Sequence, residues 1–395
     1  MTWGTAGPPP PHAATRRRAR GRSLAAGAGL VADRLLGEPP EMLHPVAAFG
    51  RVMIALERRL RSESGSDRGS RPNFASAASA EFASRSGSGY GSRAGSGSGA
   101  RSDSGPGEDR RARVAERRFD SWRDGRGAGA GYALAGVGLG WAAGFGLGPS
   151  VPAGAAASWL VVAGRALGDE ARAIGARLAD DDLDGARRRL PALVGRDPES
   201  LDPKGVARAV VESVAENTVD AVVAPACWAA LGGAAGAGWY RAVNTLDAMV
   251  GHRNERYARF GWAAARLDDA ANWIPARLTA LLVAAVRPRQ ARDVLAALAH
   301  PPAHPSPNAG VAEAAFAAAL GLRLGGDTVY AGLVDPRPAF GSGRPPEPPD
   351  IDAAVHLSRD VTLLLAALLA TPAVLNRLRH PAPRLDRARP GGTAP

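Results

Sequence analysis

Charged side chains recur at every fourth residue of one otherwise apolar segment. They are Arg208, Glu212, Glu216 and Asp220, separated mainly by Ala and Val. A step of four residues on an α-helix rotates by only about 40°, so these side chains share one broad face. Neighbouring carboxylates repel one another unless they face water, pair with cations, or bind a metal or a phosphate-bearing ligand. The apolar surroundings and the amide of Asn217 favour a Mg²⁺ site; a solvated helix face is the alternative.

A second acidic pair precedes an apolar run near residue 280. Asp268 and Asp269 are adjacent, and Asn272 lies four residues after Asp268, on the same face of a predicted helix. Acidic side chains at a membrane boundary are costly and usually functional, so we expect this pair to take part in chemistry. Arg266 and Arg277 flank the pair as cations for phosphate or carboxylate groups. The alternative is an N-terminal helix cap made by Asp268 or Asn272.

Polar side chains also follow the apolar segment 221–240. Asn244 and Asp247 are candidate ligand contacts, and Arg253, Arg256 and Tyr257 are suited to phosphate or carboxylate groups. Singly, each would be an ordinary surface residue. Together they lie between two apolar segments, so we expect this motif to belong to one site with the carboxylates of 212–220.

Two short motifs complete the candidates. Ser306, Asn308 and Gly310 belong to a Ser-Pro-Asn-Ala-Gly turn, which would expose backbone N–H groups near a helix start, where an anion can bind. A plain turn is the alternative. His44 precedes Pro45 after the first apolar segment, and a single His is more often structural than catalytic.

Composition narrows the classes of partner. The 395 residues carry a formal net charge of +11, but Lys204 is the only lysine, and the arginines cluster in the tails and in one low-complexity stretch. This distribution is unlike a basic helix interleaved with aromatic residues, so we expect no nucleic-acid partner. Cys227 is the only cysteine, which excludes an intrachain disulfide and a cysteine metal cluster.

Several apolar segments must position the polar motifs. Residues 128–148 and 151–167 each approach the ~20 residues that cross a bilayer, and arginines flank their outer ends, which predicts cytoplasmic ends. A buried helical hairpin in a soluble protein is the alternative.

Residues 24–36 predict a retained membrane segment or an interfacial helix. Residues 221–240 are interrupted by Pro225 and by Gly232-Gly233, which favours a re-entrant or broken segment.

The predicted fold is all-α: a polytopic protein of the cell membrane with several transmembrane or re-entrant helices and cytoplasmic helical loops. Residues 1–22 predict a disordered tail, and 23–60 a first segment with an apolar helix. Residues 61–126 form a Ser/Gly/Arg low-complexity linker. Residues 127–378 are expected to form a membrane-embedded catalytic domain, and 379–395 a second disordered tail.

Six motifs in this order resemble those of the CobD/CbiB family of cobalamin-biosynthesis membrane proteins. The resemblance covers about residues 24–60 and 128–375. The matching motifs are Asp33…Gly37-Glu-Pro39…His44-Pro45, Gly195-Arg196-Asp197, Glu212…Glu216-Asn217…Asp220, Asn244-Thr245-Leu-Asp247, Arg266-Leu-Asp268-Asp269…Asn272…Pro275-Ala-Arg277, and Ser306-Pro307-Asn308-Ala-Gly310 with Glu313.

The resemblance implies a membrane-embedded ligase. Such an enzyme joins aminopropanol, or its O-phosphate, to a propionate carboxylate of adenosylcobyric acid, with ATP and Mg²⁺ as cofactors and the lipid bilayer as surroundings. The implied Mg²⁺ ligands and catalytic base come from Glu212, Glu216, Asp220, Asp268 and Asp269, with Glu216, Asp220 and Asp268 as the metal set. The implied substrate contacts are His44, Asn217, Asn244, Asp247, Arg266, Asn272, Arg277, Ser306 and Asn308. A non-catalytic corrinoid-binding or AmpE-like membrane protein is the alternative.

Overall fold

The chain is built almost entirely from helices. The computed structural model describes residues 11–39, 45–62 and 125–379, apart from 196–197, 253–255, 302–303, 327, 331–332 and 336–337. The predicted linker and C-terminal tail lie largely outside these residues, and so does His44, whereas residues 11–22 of the predicted N-terminal tail belong to the first helix. Within them, the only strands are four of two or three residues, which confirms the all-α prediction.

Twelve α-helices follow one another in the described part of the chain, with a π-helical turn, Val219–Val223, between α7 and α8. They are α1 Pro11–Leu36, α2 Pro45–Ser62, α3 Arg126–Gly146, α4 Val151–Val161, α5 Gly164–Ala179, α6 Leu183–Arg189, α7 Pro203–Thr218, α8 Ala224–Val250, α9 Trp262–Val286, α10 Ala291–Ala299, α11 Ala309–Leu320 and α12 Pro348–Arg379. The strands are β1 Leu324–Gly325, β2 Thr328–Tyr330, β3 Leu333–Asp335 and β4 Ala339–Phe340, paired antiparallel as β1 with β4 and β2 with β3.

Helix α8 reverses direction at Gly233. This residue has φ 66° and ψ −148°, a backbone conformation that is essentially restricted to glycine. The two legs run antiparallel, since the rings of Trp228 and Trp239 lie 4.6 Å apart and the Tyr240 hydroxyl lies 3.1 Å from the backbone oxygen of Asp220. The predicted broken segment at 221–240 is therefore confirmed as a helical hairpin.

Glycine and alanine residues let helix α3 lie directly against the second leg of this hairpin. A Cβ atom at Gly144 would lie 2.1 Å from the carbonyl oxygen of Ala234, so only glycine permits this approach. On the opposite side of α3, Leu134, Trp141 and Phe145 are exposed. Small residues inward and large apolar residues outward are the pattern of helices packed in lipid.

Three described helical stretches are long and apolar enough to cross a membrane: Val151–Ala179, Pro203–Val250 and Pro348–Asn376. The predicted span at 128–148 forms α3 but is not among these three. The predicted span at 151–167 is interrupted, because α4 ends at Val161 and α5 begins at Gly164.

Helix α9 differs most from the sequence-based expectation. It begins at Trp262, well before the predicted apolar run, and continues through Pro275 to Val286. Asp268 and Asn272 consequently lie inside a helix, and the alternative that one of them is an N-cap is wrong. Helix α11 begins at Ala309 and ends at Leu320, and it is followed by Gly321, whose φ is 65°.

Candidate functional site

Residues from three separated motifs line one open pocket with an empty volume of about 230 Å³. Helix α7 and the π-turn contribute its first wall, helix α9 the second, and the loop before α11 the third. The lining consists of Glu216, Val219, Asp220, Asp268, Asn272, Ser306, Asn308 and Ala309. Six of these eight residues were predicted as site residues from the sequence.

The π-turn has a local cause in the sequence. Pro225 has no backbone N–H, so the Ala221 carbonyl loses its helical partner four residues ahead. That carbonyl instead accepts from the backbone N–H of Ala163, at 3.0 Å, in the junction between α4 and α5. Such π-turns often occur at functional sites. Here the turn holds Asp220, which is 6% exposed, at the wall of the pocket.

Asp268 is held by two side-chain amides. Asn272 donates from Nδ2 to Oδ2 of Asp268 at 3.0 Å, and Asn244 donates from Nδ2 to Oδ1 at 3.4 Å. All three side chains are buried. A buried carboxylate is costly unless it accepts hydrogen bonds, so these two amides fix the position of Asp268 within the pocket wall.

Tyr240 connects this network to the π-turn. Its hydroxyl lies 2.8 Å from Oδ1 of Asn272 and 3.1 Å from the backbone oxygen of Asp220, and it accepts from Nδ2 of Asn244 at 3.4 Å. Tyr240 is fully buried. Sequence reasoning missed it, although its spacing of four from Asn244 places both on one face of α8.

The third wall is tied to α9 through Asn308. Its Nδ2 donates to the backbone oxygen of Asp269 at 2.8 Å. The Ser306 hydroxyl oxygen accepts from the backbone N–H groups of Asn308 and Ala309, at 3.3 Å each, and so caps the start of α11. The predicted helix start after Ser306-Pro307-Asn308 is confirmed, and Ser306, not an external anion, accepts these two N–H groups.

A partly buried histidine supports the same loop. Nδ1 of His304 accepts from the backbone N–H of Ser306 at 3.0 Å, and Nε2 lies 3.9 Å from Oε1 of Glu313. Sequence reasoning did not select His304. The only available signal was a histidine directly before the Pro-Ser-Pro-Asn sequence.

The charged series on α7 divides into two halves. Glu216 and Asp220 line the pocket, whereas Glu212 accepts from the backbone N–H of Gly325 at 2.7 Å. Arg208 donates to the backbone oxygen of the same Gly325 at 2.9 Å. Arg208 and Glu212 therefore hold strand β1 against α7, and Glu212 does not line the pocket.

Other predicted site residues also lie outside the lining. Asn217 donates to the backbone oxygen of Ser213 at 2.9 Å, within its own helix. The Asp269 side chain lies 3.3 Å from Arg266, and its backbone oxygen accepts from Asn308 at the pocket wall. Asp247 lies at the end of α8, where its backbone oxygen accepts from Gly251.

The arginines expected to bind phosphate do not line this pocket either. Arg277 lies over the Trp273 ring at 4.0 Å and donates to the Trp273 backbone oxygen. Arg256 lies 3.4 Å from Glu57, and Arg253 lies outside the described residues. Among the described residues, the pocket lining contains carboxylates, amides and a hydroxyl but no basic side chain. Phosphate binding by Arg266 and Arg277 stays a prediction for a surface beyond the pocket.

The donor chemistry fits magnesium only in part. Glu216, Asp220 and Asp268 share the pocket, yet no group of three or more His, Cys, Asp or Glu side chains in the described ranges is arranged to hold a metal ion. Mg²⁺ is commonly bound through one or two carboxylates together with substrate phosphates. The pocket residues therefore fit a Mg²⁺ ion that is shared with substrate phosphates, and they do not supply a complete set of protein ligands.

Comparison with known proteins points to one family. A family model described as CobD/Cbib protein matches residues 109–358, a range that contains every residue of the pocket lining. No solved structure matches the chain.

Three curated relatives, each named cobalamin biosynthesis protein CobD, illustrate the similarity. The protein of Mycobacterium tuberculosis (strain ATCC 25618 / H37Rv) is 49% identical over 267 residues, which are 65% of this chain and 85% of the relative. That of Rhodobacter capsulatus is 43% identical over 228 residues, 58% of this chain and 73% of the relative. That of Chromobacterium violaceum is 38% identical over 347 residues, 88% of this chain and 95% of the relative.

Proposed function

The chain belongs to the CobD/CbiB family of cobalamin biosynthesis, and on that premise we propose that it is a ligase forming an amide bond. The proposed substrates are adenosylcobyric acid, through a propionate carboxylate, and (R)-1-amino-2-propanol or its O-phosphate, through the amine. The product is adenosylcobinamide or its phosphate.

One observation carries this proposal: three sequence motifs meet in a single acidic pocket. Glu216, Asp268 and Asn308 come from segments separated by about 40 to 50 residues of chain, yet all three line it. A membrane protein that only carried a corrinoid would need shape and apolar contact. A buried set of carboxylates held by amides is better suited to moving protons and binding cationic groups.

The chemistry requires activation of the carboxylate. A propionate oxygen attacks the γ-phosphorus of ATP, and ADP leaves, giving an acyl phosphate. The amine nitrogen then attacks the acyl carbon, inorganic phosphate leaves, and the nitrogen gives up a proton to a base. We assign the base to a carboxylate of the pocket, from the set Glu216, Asp220 and Asp268.

Magnesium belongs to the same proposal. When bound, Mg²⁺ would neutralise phosphate charge during activation. Glu216, Asp220 and Asp268, which share the pocket lining, are the carboxylates proposed to share it with phosphate oxygens. ATP and Mg²⁺ are thus proposed cofactors, supported by the reaction's chemistry and by the oxygen-only donor set.

We also propose that the protein is a multi-pass protein of the cell membrane. The three long apolar helical stretches support this location, and so does the exposed apolar side of α3. Washing membranes with high salt should leave the protein bound, and detergent should release it. Release by salt alone would indicate a peripheral basic protein instead.

The activity is tested with purified full-length protein in detergent, supplied with adenosylcobyric acid, ATP, Mg²⁺ and aminopropanol phosphate. We expect an ATP-dependent corrinoid product whose mass corresponds to amide formation, together with ADP and inorganic phosphate. Tight corrinoid binding without any product would instead support the non-catalytic alternative.

A further inference from the structure

Asn308 has an unused hydrogen-bond acceptor in the pocket wall. The residue is only 5% exposed, and its Nδ2 donates to the backbone oxygen of Asp269 at 2.8 Å. Its Oδ1 is buried and has no hydrogen-bond partner among the residues that the structure describes. A buried acceptor without a donor is unfavourable, so this atom calls for a ligand that supplies an N–H or O–H group.

The orientation of the Asn308 amide is fixed by its partner. Turning the amide by 180° would place Oδ1 against the Asp269 carbonyl oxygen, where two acceptors would repel each other. The oxygen is therefore the end of the amide that stays available to a ligand.

The surroundings select a positively charged donor. In the described part of the chain, the lining of this pocket contains the carboxylates of Glu216, Asp220 and Asp268 and no basic side chain. Such a lining attracts cations and disfavours anions. An ammonium group carries positive charge and three N–H donors, which matches an unpaired amide oxygen beside carboxylates.

We propose that Asn308 Oδ1, together with the pocket carboxylates, binds the amino group of the amine substrate and so determines its recognition. The inference rests on the proposed function and deepens it by naming the atom that selects the amine. A site for Mg²⁺ alone explains the geometry less well, since the described carboxylates do not form a three-ligand group. The backbone N–H groups of Asn308 and Ala309 both donate to the Ser306 hydroxyl, so these two groups are not available to bind an anion.

The test is binding of (R)-1-amino-2-propanol to the full-length protein in lipid nanodiscs, without ATP or Mg²⁺. The comparison ligand is 1,2-propanediol, in which a neutral hydroxyl replaces the amine. We expect the amine to bind and the diol to bind at least about tenfold more weakly. The Asn308→Leu variant should bind the amine about tenfold more weakly or worse, as expected when a hydrogen bond to a charged group is lost.

Two further variants keep the result interpretable. Asn308→Gln keeps an amide with both its acceptor and its donor, so it should retain amine binding that Asn308→Leu loses, even if the Leu variant folds poorly. Asn376→Leu makes the same change on α12, outside the pocket lining, and should leave amine binding unchanged.

Equal affinity of the wild type for amine and diol would overturn the inference. So would amine binding by Asn308→Leu that equals the binding by the wild type and by Asn376→Leu. If the amine binds as expected but no amide forms with ATP, the proposed ligase activity fails and the amine site stands. If amide forms normally in Asn308→Leu, only the amine site fails.

Discussion

Asn272 donates from Nδ2 to Oδ2 of Asp268 across 3.0 Å, one turn apart on α9. This contact joins two side chains of one sequence motif. Asn244 of another motif and Tyr240, one helical turn before it, extend the network toward the π-turn. Two neutral amide donors thus hold the buried carboxylate in place in the pocket wall.

Asn272→Asp is expected to damage both stability and activity. The substitution replaces an amide donor with a second carboxylate about 3 Å from Asp268, and like charges at this distance in a buried site are strongly unfavourable. We expect a loss of about 3 kcal/mol in unfolding free energy, measured by denaturant unfolding in detergent. Asn376→Asp on α12 is the matched control: it keeps the side-chain oxygen that accepts from Arg20 and should change stability by less than about 0.5 kcal/mol. Equal stability of the two variants would argue against the hydrogen bond.

Tyr240→Phe tests the link between the hairpin and the pocket. Removing the hydroxyl leaves Asn272 Oδ1 without its 2.8 Å contact, which should cost about 1–3 kcal/mol of stability. We also expect a lower rate of amide formation, because Asn272 would no longer be held against Asp268. Tyr257→Phe is the matched control: it removes a 3.0 Å contact with Glu57 outside the pocket and should lower stability without a comparable loss of rate. Wild-type rates in Tyr240→Phe would contradict the positioning role.

The two halves of the charged series on α7 should respond differently to the same substitution. Glu212→Gln keeps an oxygen that accepts from the Gly325 N–H, so amide formation should stay within about threefold of wild type. Glu216→Gln removes charge from the pocket wall and should lower the rate by about 10²-fold or more, as for loss of a group acting in proton transfer or metal binding. The rates of amide formation by the two purified variants test this difference. Equal losses of rate in Glu212→Gln and Glu216→Gln would indicate that Glu212 also takes part in catalysis.

Gly233→Ala should destabilise the hairpin that carries Tyr240 and Asn244. The φ of 66° with ψ −148° is not accessible to alanine without strain, which costs about 1–3 kcal/mol. Gly138→Ala is the matched control, since an added methyl group at this helical position of α3 meets no atom within 4 Å and alanine favours helix. Thermal unfolding should separate the variants clearly. An unchanged melting temperature for Gly233→Ala would contradict the sharp reversal.

Helical spacing was sufficient to predict part of this site. Spacing by four predicted that Glu216 shares a face with Asp220 and that Asp268 shares one with Asn272, and both pairs line the pocket. The Gly232-Gly233 interruption predicted the broken segment. These features depend on local backbone geometry, which the sequence encodes directly.

Helical spacing could not predict which side chains form long-range contacts. Glu212 meets Gly325 across 113 positions of sequence, and nothing in its own helix distinguishes it from Glu216. Likewise, Arg256 has a partner in Glu57, 199 positions earlier in the sequence, that competes with any ligand. Charge type and spacing identify candidates, but tertiary packing decides which of them reach the pocket.

The most direct test of the account is the rate of amide formation by three alanine variants, one from each wall of the pocket. Glu216→Ala, Asp268→Ala and Asn308→Ala are compared with wild type as full-length proteins that insert into membranes, with adenosylcobyric acid, ATP, Mg²⁺ and aminopropanol phosphate. We expect Glu216→Ala and Asp268→Ala to lose the activity, and Asn308→Ala to need a much higher concentration of the amine substrate to reach half of its maximal rate. Wild-type rates in both Glu216→Ala and Asp268→Ala would contradict it.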